Sequence, residues 1–396
     1  MKIRPFWVFI HRYAGLAMTI FLVIVGLTGS LLAFYAELEQ ALNPQFFAEA
    51  QGRPPLSPIV LIEQAERLAP QAQVESVWLN PEATHIPVSP RTNPATGQPY
   101  ELDFDQLLLN PYTGEELGRR TWGDIYQGWV NLMPFVYKLH YSLALGELGG
   151  WILGITALVW TLDCFIGFYL TLPAKANTPG RRPFWQRWRP AWQIKWRGSA
   201  FRINFDFHRA GGLWLWIALL VFAWSSVYMN LGDTVYKAAM QTVSDFHEPW
   251  TDIPDLNKPL ENPAINWHDA YRIGNEAMAR AAATQGFTVE NPAGFWLNRA
   301  KGFYVYTVRS SLDFQDHSGQ TRVVIDASTG EQKMLLLPHG QYNGNTITSW
   351  LAALHMANVF GMPYRIFVCV LGLVIVMLSV TGVVIWLKKR RARMSG

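Results

Sequence analysis

The amino-acid sequence predicts an α-helical membrane protein, in which a bundle of four transmembrane helices carries two α+β domains outside the membrane. Three observations predict this fold class: long apolar runs, a one-sided distribution of Lys and Arg, and a repeat that relates the two halves of the chain. Half of the 396 residues are hydrophobic (50%) and only 16% are charged. Because the apolar residues gather in runs, a soluble globule, a disordered chain and a fibrous repeat are excluded.

Each of the four apolar runs is about 20 residues or longer, which is the length that crosses a bilayer as a helix. The runs cover residues 7–35, 149–172, 210–231 and 366–387. From them we predict transmembrane helices at 1–36, 147–172, 204–231 and 362–388. The first is predicted to stay in the mature protein, because Glu37 and Glu39 follow it without a small-residue cleavage site.

Basic residues mark one side of this bundle. Lys2, Arg4 and Arg12 lie at the start of the chain, and the connection 173–203 and the tail 389–396 are rich in Lys and Arg without any acid. By the positive-inside rule these segments are cytoplasmic, and so are both termini. This placement makes them topology anchors beside the lipid bilayer and argues against nucleic acid as a partner.

The acidic residues, apart from Asp163 and Asp206, accompany the two long outer segments, 37–146 and 232–361. Each outer segment combines one helical pattern with alternating strand patterns. In each, a Thr-Gly-Glu turn closes the last strand. We therefore expect each outer segment to form an α+β domain of its own.

The two halves of the chain repeat one pattern of histidines. A His-Arg pair opens the first span of each half, and a Leu-His pair precedes the second span. These pairs are His11-Arg12, His208-Arg209, Leu139-His140 and Leu354-His355. Gly167 and Gly382 each follow the second histidine by 27 residues. Since both halves begin in the cytoplasm, the sequence predicts a parallel duplication about an axis along the membrane normal.

The four repeated histidines lie near membrane depth, where an ionisable side chain is costly unless it is paired or bound. A single such histidine is adequately explained as a helix cap, whereas four at matched offsets favour ligation of haem iron. A span separates the two levels by tens of ångströms. His11 is therefore predicted to pair with His208, and His140 with His355. No Cys-x-x-Cys-His motif occurs, so the predicted cofactors are two haem b groups.

Four cations beside these histidines are candidate partners of the haem propionates. They are Arg12 and Arg209 for one haem, and Lys138 and Arg365 for the other. Asp163, which interrupts the second span, is either the partner of a buried polar group or a proton relay. The remaining histidines are expected on solvated surfaces: His85, His247, His268, His317 and His339.

With these motifs the sequence resembles the PepSY-associated transmembrane family, and within it the di-haem siderophore reductases of the bacterial inner membrane. The resemblance covers nearly the whole chain and rests on the four histidine motifs and the two Thr-Gly-Glu closures. It implies two haem b groups in four helices and PepSY-like domains in the periplasm. It also implies reduction of a periplasmic ferric siderophore with release of ferrous iron. The two halves differ at one place. Thr28-Gly29 begins 17 residues after His11, whereas Ser225-Ser226 begins 17 residues after His208.

Three classes of function follow from these features: a haem-dependent ferric-siderophore reductase, a PepSY-type membrane-anchored regulator or sensor without redox activity, and a transporter. Four matched histidines favour the reductase, and two haems in four helices leave little room for a pore. No dinucleotide-binding glycine motif occurs, so a quinol or a cytoplasmic partner is the expected electron donor. Trp185, Trp188, Trp192 and Trp196 of the basic connection would either contact that donor or form a belt at the membrane surface.

Overall fold

The computed structural model describes residues 3–50, 52–79, 84–174 and 182–394. Lys2, Lys175 and Arg181, which belong to the predicted cytoplasmic segments, lie outside the described residues. The chain divides into two compact units. The helical unit consists of Met1–Phe34, Val136–Thr242 and Trp350–Gly396, and the sheet unit consists of Tyr35–Phe135 and Val243–Ser349.

Long helices make up most of the helical unit, and strands make up the centre of the sheet unit. The α-helices are α1 (Ile3–Leu32), α2 (Tyr35–Leu42), α3 (Pro58–Leu68), α4 (Leu132–Ser142), α5 (Gly146–Thr171), α6 (Phe184–Trp188), α7 (Ala200–Trp214), α8 (Trp216–Leu231), α9 (Lys237–Val243), α10 (Trp267–Gln285), α11 (Asn343–His355) and α12 (Gly361–Met394). The strands are β1 (Ala72–Val74), β2 (Ser76–Trp78), β3 (Thr84–Pro90), β4 (Gln106–Leu109), β5 (Glu116–Arg120), β6 (Val289–Asn298), β7 (Phe303–Ser310), β8 (Thr321–Asp326) and β9 (Gln332–Leu336).

Three helices, α1, α5 and α12, are each long and apolar enough to cross a membrane. The span predicted at 204–231 is not one straight helix: α7 and α8 meet at Leu215 with a bend of 70°, and they supply a fourth span only when counted together. The break follows Gly211-Gly212, and glycine weakens a helix because it leaves the backbone conformationally free. The tail predicted at 389–396 continues α12 as far as Met394, and its basic residues suit the negative end of the helix dipole.

The helical unit is held by a close crossing of its first and last long helices. α1 packs along α12, α5 packs against α1 and α8, and α7 packs against α12. At the α1–α12 crossing, a Cβ added to Gly26 would lie 2.8 Å from the carbonyl oxygen of Gly372. Ser30 donates a hydrogen bond of 2.8 Å to the carbonyl of Cys369 at the same place. Small residues at the contact allow the two backbones to approach this closely.

The sheet unit is built on one antiparallel sheet with the order β5-β4-β3-β2-β6-β7-β8-β9, and β1 pairs with β3 beside this path. Strands β1–β5 come from the first outer segment and β6–β9 from the second. The two sets meet at β2 and β6, where Val77 lies opposite Phe295. α3 and α10 pack against these strands in one hydrophobic core.

This shared sheet differs from the prediction of one domain for each outer segment. Each segment alone would leave an edge strand, β2 or β6, with unpaired backbone groups, and pairing the two edges satisfies both. The boundaries differ as well, because 136–146, 232–242 and 350–361 belong to the helical unit. That difference matters, since His140 and His355 lie in those segments.

The same turn closes both halves of the sheet. In the β4–β5 turn, the side-chain oxygen of Asn110 accepts hydrogen bonds from the backbone two and three residues further on, and Asp326 does the same in the β8–β9 turn. Gly114 and Gly330 follow with φ angles of 75° and 77°. Glycine is favoured at both positions because this left-handed conformation is strained for other residues. The repeated turn agrees with the internal duplication.

Candidate functional site

The helical unit brings the imidazole rings of His11 of α1 and His208 of α7 close together. Their ring centroids lie 6.0 Å apart and their planes are inclined by 58°. A cavity of about 440 Å³ opens between α1, α5, α7 and α12 beside both rings. This volume falls within the usual range of cofactor and ligand pockets. We refer to this pair and its cavity as the first site.

The second site is formed by His140 of α4 and His355 of α11. Their ring centroids lie 6.2 Å apart, with an angle of 61° between the planes. Phe222 of α8 stacks on His355 with a centroid distance of 5.0 Å. Thr28 of α1 contacts His140, and it follows His11 by 17 residues, about 26 Å along the helix axis. The two sites therefore lie at different levels of the helical unit.

Three of the four histidines are oriented by hydroxyl groups. The pairs, with the distance from hydroxyl oxygen to Nδ1, are Thr28 with His140 (2.9 Å), Ser225 with His355 (2.7 Å) and Thr381 with His208 (3.1 Å). Each hydroxyl also donates its only hydrogen to a backbone carbonyl of its own helix, that of Ile24, Phe222 or Met377. The hydroxyls must therefore accept from the imidazoles. Nδ1 carries the proton in these rings, and Nε2 keeps a lone pair for a metal.

The fourth histidine, His11, has a different partner. Its Nδ1 lies 2.9 Å and 3.0 Å from the two carboxylate oxygens of Asp163 on α5. A carboxylate accepts this hydrogen, so His11 has the same tautomer as the other three. The structure shows Asp163 as the partner of a polar group, the half-buried imidazole of His11.

Glycines lie against three of the rings. A Cβ on Gly29 would be 3.0 Å from Cε1 of His140, and a Cβ on Gly382 would be 3.3 Å from Cε1 of His208. The corresponding distance from Gly167 to Cε1 of His11 is 3.5 Å. The missing side chains thus make room for imidazole rings, which explains why Gly167 and Gly382 recur at one offset in the two halves.

Several cations line the first site. Arg12, predicted from the sequence, lines the cavity together with Arg4 and Lys389, which the sequence analysis did not select. Arg4 donates hydrogen bonds to the carbonyls at the end of α5, at 2.6 Å and 2.9 Å. Lys389 was overlooked because it was assigned to the tail rather than to a continuing helix. The cavity therefore combines two imidazoles with a cationic rim.

The other predicted cations are arranged differently. Arg209 lines the cavity, but its guanidinium donates to Asp206 at 2.9 Å and to the carbonyl of Pro190. Arg365 donates to the carbonyl of Ala33 at 2.8 Å and lies over the ring of Phe34. Lys138 precedes His140 by two residues, so it is about 200° away around α4 and lies on the opposite face. The structure thus places Arg12 beside a histidine pair and gives Arg209 and Arg365 contacts that fasten helix ends.

The tryptophans of the basic connection fall into two groups. Trp188 packs into a small core with Ala191 and Leu213. Trp185, Trp192 and Trp196 are 70%, 38% and 68% exposed. Only the second kind is available to a membrane surface or a partner.

Among the five histidines expected on solvated surfaces, His85 is an exception. It lies on β3 of the sheet unit, where burial and the neighbouring Arg120 lower its pKa to about 4, although a hydrogen bond with Gln106 acts in the opposite direction. Arg120 is itself buried and forms an ion pair of 2.6 Å with Glu39. His85 therefore belongs to a buried polar cluster and is neutral near pH 7.

Comparison with protein families identifies a match over most of the chain. The model of the PepSY-associated TM region matches residues 8–389, which include both histidine sites and the strands of the sheet unit. No curated protein matches the chain.

Proposed function

Because the chain belongs to the PepSY-associated transmembrane family, we propose that it is a transmembrane oxidoreductase that holds two haem b groups and reduces ferric siderophore. The siderophore would be bound on the periplasmic side of a bacterial inner membrane, and a quinol or a cytoplasmic protein would supply the electrons. Reduction releases the iron as the ferrous ion. The observation that carries this proposal is the pair of facing imidazoles at each of two levels.

The spacing of the imidazoles fits ligation from opposite sides of one iron. A metal–nitrogen bond of about 2.0 Å and about 1.15 Å from each nitrogen to its ring centroid give a centroid separation of about 6.3 Å. The separations in the structure are 6.0 Å and 6.2 Å. Packed rings commonly have centroids about 4.5–7 Å apart, so the separation agrees with ligation, and its recurrence at both repeated histidine pairs supports the proposal.

The number of protein ligands also favours a macrocycle. Within residues 3–50, 52–79, 84–174 and 182–394, no group of three or more His, Cys, Asp or Glu side chains is arranged to hold a metal ion. A protein site for a bare metal ion usually supplies three or four ligands. A haem needs only two, since the porphyrin supplies the rest. Two imidazoles with free Nε2 atoms therefore suit haem better than a bare ion.

The surroundings of the first site suit the same cofactor. Its cavity is lined largely by apolar side chains, with Arg12 and Lys389 among the cations. These two residues are suited to pair with haem propionates. When bound, each haem would supply a one-electron redox centre. The chain's contribution is to orient Nε2 of each histidine through the partner on Nδ1.

The proposal is tested by haem content. The purified protein should show the absorption of low-spin haem with about two haems per chain. His11→Ala or His208→Ala should remove the haem of the first site, and His140→Ala or His355→Ala that of the second. His268→Ala, on the exposed side of α10, is the matched control and should keep both. Addition of a ferric siderophore to the dithionite-reduced protein under anaerobic conditions should restore the oxidised spectrum.

Two results would contradict the proposal in different ways. A colourless protein would remove the haem sites and favour the regulator, in which the sheet unit binds a partner. A haem protein that ferric siderophores do not reoxidise would keep the cofactor and remove the substrate.

A further inference from the structure

We propose that Asp163 lowers the reduction potential of the first site below that of the second. This inference rests on the proposed function, because it requires iron between the paired imidazoles. It assigns to Asp163 the role of a positioning residue that acts on the iron through His11.

The contact is well built for this role. Both carboxylate oxygens of Asp163 lie within 3.0 Å of Nδ1 of His11, and Asp163 is only 8% exposed. The other three histidines donate to neutral oxygens of hydroxyl or carbonyl groups. One of these four histidines is therefore hydrogen-bonded to a carboxylate.

A carboxylate acceptor changes the basicity of the imidazole that would bind iron. It draws the Nδ1 proton away from the ring, and the imidazole then becomes a more basic ligand through Nε2. A stronger donor stabilises ferric iron more than ferrous iron. The carboxylate charge acts in the same direction, and burial limits its screening by water. Both effects make the first site harder to reduce and, once reduced, the stronger reductant. The cations that line the cavity act in the opposite direction, but Arg209 is paired with Asp206, and Arg12 and Lys389 are suited to pair with haem propionates.

The internal repeat provides a comparison within the chain. Asp163 follows His140 by 23 residues, and Leu378 follows His355 by the same number. His208 donates to the backbone carbonyl of Leu378 at 3.0 Å. The hydroxyl of Thr381 also accepts from His208 at 3.1 Å, so neutral acceptors suffice to orient the corresponding histidine. Since burying a carboxylate costs free energy, orientation alone does not explain Asp163.

The consequence is a direction for electron transfer. A first site of lower potential favours transfer from the first site to the second. A tenfold preference in this one-electron equilibrium corresponds to a gap of about 59 mV. The orientation predicted from basic residues puts the second site toward the periplasm, so the gap favours reduction of an acceptor there.

The test is an optical redox titration of the intact detergent-solubilised protein, combined with electron paramagnetic resonance of the ferric haems. The unmutated protein should titrate in two steps. Asp163→Asn keeps the shape and an acceptor oxygen but removes the charge. In this variant the midpoint potential of the lower step should rise by at least about 59 mV, which is a tenfold change in the equilibrium constant. The upper step should stay in place, and one of two low-spin ferric signals should shift.

Thr381→Val is the matched control at the same site. It removes a neutral acceptor from His208, while the carbonyl of Leu378 remains. The midpoint potentials of both steps should therefore shift by less than the lower one shifts in Asp163→Asn. If Asp163 had a purely structural role, Asp163→Asn would lower the haem content or the stability and leave both midpoint potentials unchanged.

The inference is overturned if the unmutated protein titrates with equal potentials, or if Asp163→Asn keeps two haems with both steps unchanged. If Asp163→Asn loses a haem, Asp163→Glu decides, because it keeps the charge. A lower step retained in Asp163→Glu supports the inference, and a lower step raised to the level of the upper one overturns it. Absence of haem from the unmutated protein would instead overturn the proposed function, so the two failures are distinguishable.

Discussion

At the scale of single residues, three of the rings are held by the same pair of contacts. A hydrogen bond fixes Nδ1, and a glycine leaves room beside Cε1. Thr28-Gly29 supplies both contacts to His140, and Thr381-Gly382 supplies both to His208. A hydroxyl followed by a glycine on one helix thus forms a compact holder for an imidazole on another.

His355 shows how this holder changes when the glycine is absent. Ser225 supplies the hydroxyl and Ser226 follows it, while Phe222 stacks on the ring. This pair of serines is the departure from Thr28-Gly29 that is visible in the sequence. In the structure it is the difference between a ring packed against a glycine and a ring packed against an aromatic face.

The glycine distances predict a graded effect of alanine. Gly29→Ala would put a methyl group 3.0 Å from Cε1 of His140, which is tighter than ordinary contact, whereas in Gly167→Ala the distance to His11 is an ordinary 3.5 Å. Overpacking of this kind typically costs about 1–3 kcal/mol. We therefore expect Gly29→Ala to lose much of the haem of the second site and Gly167→Ala to keep both haems. Haem per chain, measured from absorption, compares the two variants, and equal haem content would contradict the steric argument.

At the scale of the elements, α1 connects the two sites. It carries His11 of the first site and, about 26 Å further along, Thr28 and Gly29 beside the second. Its crossing with α12 brings in Thr381 and Gly382, which hold His208. The crossing at Gly26 and Gly372 therefore governs the geometry of both sites.

Gly26→Ala tests this crossing. The added methyl group would meet the backbone carbonyl of Gly372 at 2.8 Å, and backbone cannot move aside unless the helices separate. We expect a loss of about 1–3 kcal/mol in stability, seen as a lower thermal midpoint in detergent. Gly150→Ala on α5 is the control, because its methyl group would meet only Asn230 at 3.9 Å. An equal decrease of the thermal midpoint in both variants would contradict a specific role of the α1–α12 crossing in stability.

The elements also show where local patterns fail. The apolar run at 210–231 predicts one span, but the structure has α7 and α8 with a 70° bend at Leu215. Hydropathy reports only whether a segment prefers lipid, and a bend leaves that preference unchanged. Trp216 donates to the carbonyl of Cys164 at 2.8 Å next to this bend, a contact between distant parts of the chain.

At the scale of the whole molecule, the two halves of the duplication meet at both histidine sites, in the sheet and along the first and last long helices. Each site takes one histidine from each half, β2 pairs with β6, and α1 packs along α12. Neither half contains both histidines of a site, and each half alone would leave β2 or β6 as an unpaired edge. The duplication therefore yields one composite molecule rather than two linked domains.

A split protein tests this interdependence. The chain is cut in the connection between Leu172 and Phe184, and the halves are expressed separately or together. Because each site needs both halves, we expect haem absorption only on co-expression. The measurement is the haem content of the affinity-purified halves, with the uncut protein as the reference. Full haem content in either half alone would contradict the composite arrangement.

The sequence by itself determined the features that depend on local composition and on spacing along the chain. The apolar runs marked the spans, since burial in lipid demands an apolar segment of sufficient length wherever it occurs. Repeated offsets marked the duplication and singled out His11, His208, His140 and His355. The length of a span was then enough to predict which histidines could pair.

Only the tertiary structure decided the features that depend on contacts between distant residues. In the structure the two outer segments form one sheet. Arg365 donates a hydrogen bond to the carbonyl of Ala33, and Asp163 is hydrogen-bonded to His11. The physical reason is that hydrogen-bond partners and shared edges are satisfied across the fold, by whichever groups packing brings within reach. No pattern along the chain specifies that a carboxylate on α5 and a carbonyl on α12 serve equivalent histidines.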